Sequence, residues 1–274
     1  MRRWTALTAI LATGWTAAAL GQALPEPTEW TVGGVKRQAI VLKPERATEQ
    51  PAPLLFVFHG HGGAMRNTAR LGYHKAWPEA IVVCPQGLAT VTARDPQGSR
   101  PGWQNRKGAD GDRDLAFFDA MLKSLRAERK VDDRRIYATG HSNGGGFTYL
   151  LWAERGDVLA AVAPSSAGAA ALLPATGIKP MPALILGGRT DAVVPFAGQG
   201  RSMALVRRIN QCGAEGKPWP AAGNLEGTLY PSGVGAPMVT LIHPGGHRFP
   251  PEAPALIVRF LKEQVKKEPA PPSG

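Results

Sequence analysis

Gly140-His141-Ser142-Asn143-Gly144 constrains this chain more than any other stretch. It follows the β-favouring run Arg135–Thr139 and precedes Phe147–Trp152, which reads as the opening of a buried helix. A serine inside G-x-S-x-G at such a junction is a nucleophile elbow. The turn is so tight that its neighbours must be small, and the strained serine backbone projects the hydroxyl clear of the sheet. Glycine-rich loops produce the same five letters by chance, so the weight rests on the flanking strand and helix.

The rest of the chain supplies the alternation that such a turn needs. Two β runs within Glu29–Leu42 meet at Gly33-Gly34 and predict a hairpin. Leu54–Phe58, Ala80–Cys84, Leu159–Ala163, Met181–Gly187 and Met238–His243 are short apolar runs of the kind buried in a parallel sheet. Helices are predicted between them: about Ala64 to Lys75, Asp114 to Lys130, after the elbow, about 198–211, and Pro254–Lys267. In the second of these, Leu115, Phe118, Met121, Leu122 and Leu125 fall on one face. The fold class is therefore α/β: a mostly parallel sheet with helices on both faces, and reactive groups at the carboxyl ends of the strands.

Residues 1–23 read as an export signal: Arg2 and Arg3, an apolar stretch from Trp4 to Leu20, and small residues at Ala19 and Gly21. Residues 24–267 are expected to form a single catalytic domain, followed by a Pro-rich tail over 268–274 that cannot pack. The localisation expected is extracellular or periplasmic, with no stable membrane anchor. A pI near 10.1 invites a nucleic-acid reading. The basic residues are scattered, however, and the densest group, Arg126 to Arg135, is interleaved with Glu128, Asp132 and Asp133. That is a solvated helix end, so no nucleic-acid partner is implied. Cys84 reads as a small buried hydrophobe, and whether it pairs with Cys212 is not set by sequence.

A serine nucleophile needs a histidine to take its proton and a carboxylate to hold that histidine in the right tautomer. On an elbow fold they follow in the order Ser, Asp or Glu, His. Ser142, Asp191 and His247 meet that order, each just past an apolar run. Asp157 is the rival acid, but it lies at a helix end away from the chemistry, and His243 sits inside a strand and reads as structural. His59-Gly-His61-Gly-Gly63 follows the strand that carries the oxyanion loop in this architecture, and the backbone N–H groups of His61 and Asn143 are the candidate donors. Metal binding by the His59/His61 pair would need a third ligand that the spacing does not offer, so no metal and no cofactor are expected. Asp110-Gly-Asp112-Arg-Asp114 departs from a calcium loop and reads as the N-terminal cap of the next helix. Pro85–Gly111 is too long for a plain connector and is expected to lie over the site.

These pieces resemble the secreted α/β-hydrolases of the poly(3-hydroxybutyrate) depolymerase and feruloyl esterase type. The matching segments are Phe58–Gly63, Asp114–Phe118 ahead of Val131–Tyr137, Gly140–Gly145, Asp191 with Val194-Pro195, and Gly245–His247 with Pro250. The resemblance implies a secreted serine carboxylic-ester hydrolase working through an acyl-enzyme on feruloyl, acetyl or hydroxyalkanoate esters. It carries over Ser142, Asp191 and His247 as the triad, and His61 and Asn143 as oxyanion donors. Insoluble-polyester depolymerases usually carry an extra binding domain and many relatives more cysteines, which tilts the expectation toward a soluble or wall-linked ester. Trp103 is a candidate platform for an aromatic acyl group, with loop packing as the other reading. A serine peptidase on the same fold and a catalytically inactive binding protein are the alternatives. Oligomeric state is left open.

Overall fold

The computed structural model describes residues 23–45, 50–173 and 177–266. The expected export signal up to residue 22 and the 268–274 tail lie outside them. In chain order, β1 (Thr28–Val32) and β2 (Val35–Leu42) form the expected hairpin, and β3 (Ala52–Phe58) is wholly buried. The short helices α1 (Met65–Ala69) and α2 (Tyr73–Ala76) replace the single helix expected, because the chain turns at Gly72, whose φ is +94°. Next come β4 (Ile81–Pro85), β5 (Leu88–Ala89), β6 (Pro101–Gly102), α3 (Arg113–Glu128), β7 (Val131–His141) and α4 (Asn143–Arg155). The remainder is β8 (Ala161–Ser165), β9 (Ala183–Gly188), α5 (Phe196–Ile209), β10 (Lys217–Pro218), β11 (Glu226–Tyr230), β12 (Met238–His243) and α6 (Ala253–Lys262).

Ten strands form one sheet in the order β1-β2-β4-β3-β7-β8-β9-β12-β11-β10. The six central strands, β4 to β12 in that order, are parallel, and an antiparallel pair closes each edge. Period-two alternation divides the apolar side chains between the two faces. Leu54, Phe56 and Phe58 of β3 join Leu115, Phe118, Met121 and Phe147 from α3 and α4 on one side. Leu55 and Val57 join Tyr73, Leu256, Ile257 and Phe260 from α2 and α6 on the other. Both faces of the sheet are therefore covered, and its carboxyl edge is left to loops. Strand β8 is displaced two residues along the chain from the expected run Leu159–Ala163, with Pro164 inside it opposite Gly140.

Candidate active site

The elbow closes at the end of β7. Ser142 has φ 56° and ψ −120°, a conformation that costs a non-glycine residue of order 1–3 kcal/mol and persists only where the surroundings enforce it. The enforcement is steric and hydrogen-bonded. A Cβ on Gly140 would overlap the Gly144 carbonyl, and one on Gly144 would overlap the carbonyls of Phe58 and His59. Ser142 N–H donates to Ser165 O at 2.8 Å, and Gly146 N–H donates to Ser142 O at 2.9 Å as α4 begins.

The other two members arrive from neighbouring strand ends. β9 stops at Gly188, and Asp191 lies in the turn that follows. The histidine loop leaves β12 and is sewn to that turn, with Arg189 N–H donating to His243 O and Thr190 N–H to Gly245 O. His247 Nδ1 is 2.8 Å from Asp191 Oδ2, and its Nε2 is 2.8 Å from Ser142 Oγ. A carboxylate can only accept, so Nδ1 carries the proton and Nε2 is free to accept the serine hydroxyl proton. The three side chains form one continuous relay.

Asp191 is only 4% exposed and accepts four hydrogen bonds. Val193 N–H and Val194 N–H reach Oδ1, both at 2.9 Å, while Gln199 Nε2 and His247 Nδ1 reach Oδ2. Burial alone raises its pKa, but the bonds from His247, Val194 and Val193 outweigh burial and hold the carboxyl below the ordinary range. His141 stacks obliquely against His247, with ring centroids 4.8 Å apart, and its Nδ1 lies 3.1 Å from Ser165 Oγ. Burial first, and then the neighbouring His247, push its pKa down to about 4. His243 Nδ1 accepts Gly245 N–H at 3.1 Å and holds the base of the histidine loop. Lys179 pairs with Asp157, the rival acid, at 2.8 Å at the far end of α4.

The segment 59–63 lies against the elbow, where a Cβ on Gly60 would stand 3.4 Å from Ser142 Cβ. The His59 ring braces the segment by donating from Nδ1 to Gly60 O at 2.8 Å and accepting Gly87 N–H at Nε2, 3.0 Å away. The His61 ring turns outward to Asp95 Oδ2 at 3.0 Å. The two rings of the His-x-His pair thus serve different partners. Among the described residues no acceptor meets the backbone N–H of His61 or of Asn143, and no group of three His, Cys, Asp or Glu is placed to hold a metal.

The long segment after β4 is pinned over this edge. Asn143 clasps the backbone of Trp103, its Oδ1 accepting Trp103 N–H at 2.7 Å and its Nδ2 donating to Trp103 O at 2.9 Å. Arg94 reaches across to the carbonyls of Ala192 and Val193 beside the acid. Two sequence readings are corrected here. The Trp103 ring is 1% exposed, is stacked on Phe147 and donates to His59 O. It is core, and no acyl group can reach its face. The acidic group does stand at the start of α3, with Asp112 at the cap position and Asp114 in the first turn, but neither carboxylate takes the helix amides. Asp114 is buried in an ion pair with Arg37 at 2.7 Å, and the amides of Asp114 and Leu115 donate instead to Gln104 Oε1. A cleft of about 800 Å³ opens one helical turn from Ser142, between Asn105–Lys107, Gly146, Leu150 and Gly168, with no triad member in its wall.

No protein-family model matches the chain. It is 31% identical over 214 residues to a probable feruloyl esterase C of Aspergillus clavatus, covering 77% of this chain and 75% of the relative. It is 30% identical over 200 residues to the feruloyl esterase C of Emericella nidulans, covering 72% and 71%. Among solved structures, an acetyl xylan esterase from Aspergillus awamori superposes with a TM-score of 0.67 at 13% identity, covering 87% of this chain and 99% of the other. A ferulic acid esterase from Anaeromyces mucronatus superposes with a TM-score of 0.60 at 15% identity, covering 90% and 93%. The sheet and its serine elbow are those of an α/β-hydrolase, and with these relatives the protein is a carboxylic-ester hydrolase. The chain belongs to the feruloyl esterase family. Among the described residues no helix is long and apolar enough to cross a membrane.

Proposed function

We propose that the protein is an exported serine esterase whose single catalytic domain, residues 24–267, hydrolyses feruloyl or related acyl esters through an acyl-enzyme. What supports this most is the relay of 2.8 Å contacts from Ser142 Oγ through His247 to Asp191. Ser142 Oγ attacks the ester carbonyl carbon as its proton passes to His247 Nε2, and Asp191 stabilises the imidazolium that forms. The carbonyl oxygen becomes an oxyanion facing the N–H groups of His61 and Asn143, where each donor contributes roughly 2.7–4 kcal/mol of barrier lowering. As the tetrahedral species collapses, the bond to the alcohol oxygen breaks and His247 returns the proton to that oxygen. Water then attacks the acyl-enzyme and gives one proton to His247. The Ser142–acyl bond breaks, the proton returns to Ser142 Oγ and the acid leaves.

The acyl group is assigned as feruloyl first because the relatives that cover most of this chain are named feruloyl esterases. Acetyl and hydroxyalkanoate esters follow. A panel of methyl ferulate, acetylated xylan, polyhydroxybutyrate and p-nitrophenyl acetate ranks them. Replacing Ser142 by Ala is expected to remove turnover of every substrate the native protein cleaves. Turnover retained by the folded Ala variant refutes the nucleophile, and a native protein that cleaves acetate but not ferulate refutes the acyl assignment.

A further inference from the structure

Helix α5 carries one buried polar side chain whose presence packing does not explain. Gln199 is 1% exposed, and its Nε2 donates both to Asp191 Oδ2 at 3.0 Å and to Val194 O at 2.6 Å. Its Oε1 is buried with no hydrogen-bond partner among the described residues. The amide orientation is fixed by its neighbours. Flipped, the oxygen would face two acceptors, the carboxylate and the Val194 carbonyl, so the NH2 group must point at Asp191. The oxygen is then driven toward Gly187, where any side chain would overlap it. An unsatisfied buried acceptor is costly, and an apolar side chain of the same shape would avoid that cost.

Asp191 Oδ2 is also the atom that accepts the hydrogen bond from His247 Nδ1–H. Gln199 therefore acts on the oxygen that orients the base, and through Val194 O it ties that oxygen to the turn whose N–H groups hold Oδ1. We propose that Gln199 is a positioning residue for ester hydrolysis, its amide fixing the rotamer of Asp191 and tempering the carboxylate's pull on His247. The proposal rests on the triad reading given above. With Gln199 gone the carboxylate has one fewer donor, so it holds the His247 proton more strongly. The imidazolium becomes easier to form, and the acid limb of the kcat/KM profile moves to higher pH.

The test is Gln199→Leu, with Gln199→Met as a second apolar variant that keeps the unbranched chain. Each is measured by kcat and KM on p-nitrophenyl acetate from pH 5 to 9, by thermal unfolding, and by labelling of Ser142 with a fluorophosphonate. The expected result is a kcat about tenfold lower with KM within twofold, an acid limb displaced upward, and little change in Tm, since relief of the unpartnered Oε1 offsets the donor lost to Val194 O. An unchanged kcat and pH profile in a folded variant overturns the proposal. So does a loss of activity that tracks a fall in Tm with no displacement of the acid limb, since that is what a packing role predicts. If the native protein itself takes no fluorophosphonate on Ser142, the triad reading fails instead, and the two failures are thereby distinguished.

Discussion

Asp191→Asn is the substitution whose outcome the geometry determines most fully. The side chain keeps its shape, but one of its two acceptors becomes a donor. Every group facing Asp191 is a donor: Val193 N–H and Val194 N–H at Oδ1, Gln199 Nε2 and His247 Nδ1 at Oδ2. If the new NH2 group faces the valine amides, two buried backbone N–H groups lose their acceptor. If it faces His247, the imidazole moves its proton from Nδ1 to Nε2 and accepts at Nδ1, leaving only the Gln199 contact unfavourable. Gln199 keeps its bond to Val194 O in that arrangement. An unsatisfied buried donor costs about 1–3 kcal/mol, so the second orientation is favoured by roughly that amount. His247 then presents Nε2–H to Ser142 and cannot take its proton. The expected loss in kcat is about 10⁴-fold, or roughly 5.5 kcal/mol in the barrier, with a stability loss of about 1–3 kcal/mol and KM within twofold. Steady-state hydrolysis of p-nitrophenyl acetate at pH 7, below the variant's unfolding temperature, measures it. A folded Asn variant that keeps more than a tenth of native kcat refutes the role assigned to Asp191.

Two further outcomes follow from the elbow. Gly140→Ala and Gly144→Ala push a methyl into backbone carbonyls and are expected to cost several kcal/mol of stability, whereas Gly146→Ala in α4 meets nothing within 4 Å and is expected to stabilise by about 0.5–1 kcal/mol. Thermal unfolding of the three variants separates these cases, and equal shifts would contradict the steric account. The second outcome concerns His141, whose folded pKa of about 4 lies below its ordinary 6.5. The unfolded chain therefore binds the extra proton first, so this contribution is intact above about pH 6.5 and is lost as pH falls toward 4. Between pH 7 and pH 5 the loss amounts to about 2 kcal/mol, and His141→Gln is expected to lose correspondingly less stability over that range. Parallel stability curves for the two proteins would show that His141 is not buried in its neutral form.

The elbow was legible because its requirement is local: a serine between glycines, with a strand before and a helix after. Asp191 and His247 were legible because each falls just past an apolar run, where a parallel sheet exposes its reactive edge. Gln199 was not, because it sits in the middle of a helix and nothing in its spacing reveals that its amide turns inward to the acid. His141 is inside the motif, yet its packing on His247 depends on a loop more than a hundred residues away. The choice between the two readings of Trp103 was out of reach for the same reason. A tryptophan in a Gly- and Pro-rich segment fits an acyl platform or loop packing equally, and only the tertiary closure of that segment through Asn143 carries it into the core. The cap of α3 comes from Gln104, ten residues ahead of Asp114, outside the short range in which capping motifs are recognised. Strand β11, held by its antiparallel pairing to β12, lies in a stretch whose Gly and Pro content hides its pattern.

In the proposed mechanism Ser142 carries the acyl group during turnover. Mixing the protein rapidly with excess p-nitrophenyl ester and quenching in acid within the first turnover gives the phenol released and the mass of every serine-containing peptide. One equivalent of acyl group is expected on the peptide containing Ser142, formed no more slowly than turnover and lost on further hydrolysis. Steady release of the phenol with no acyl group at Ser142, or with the group on another residue, would contradict it.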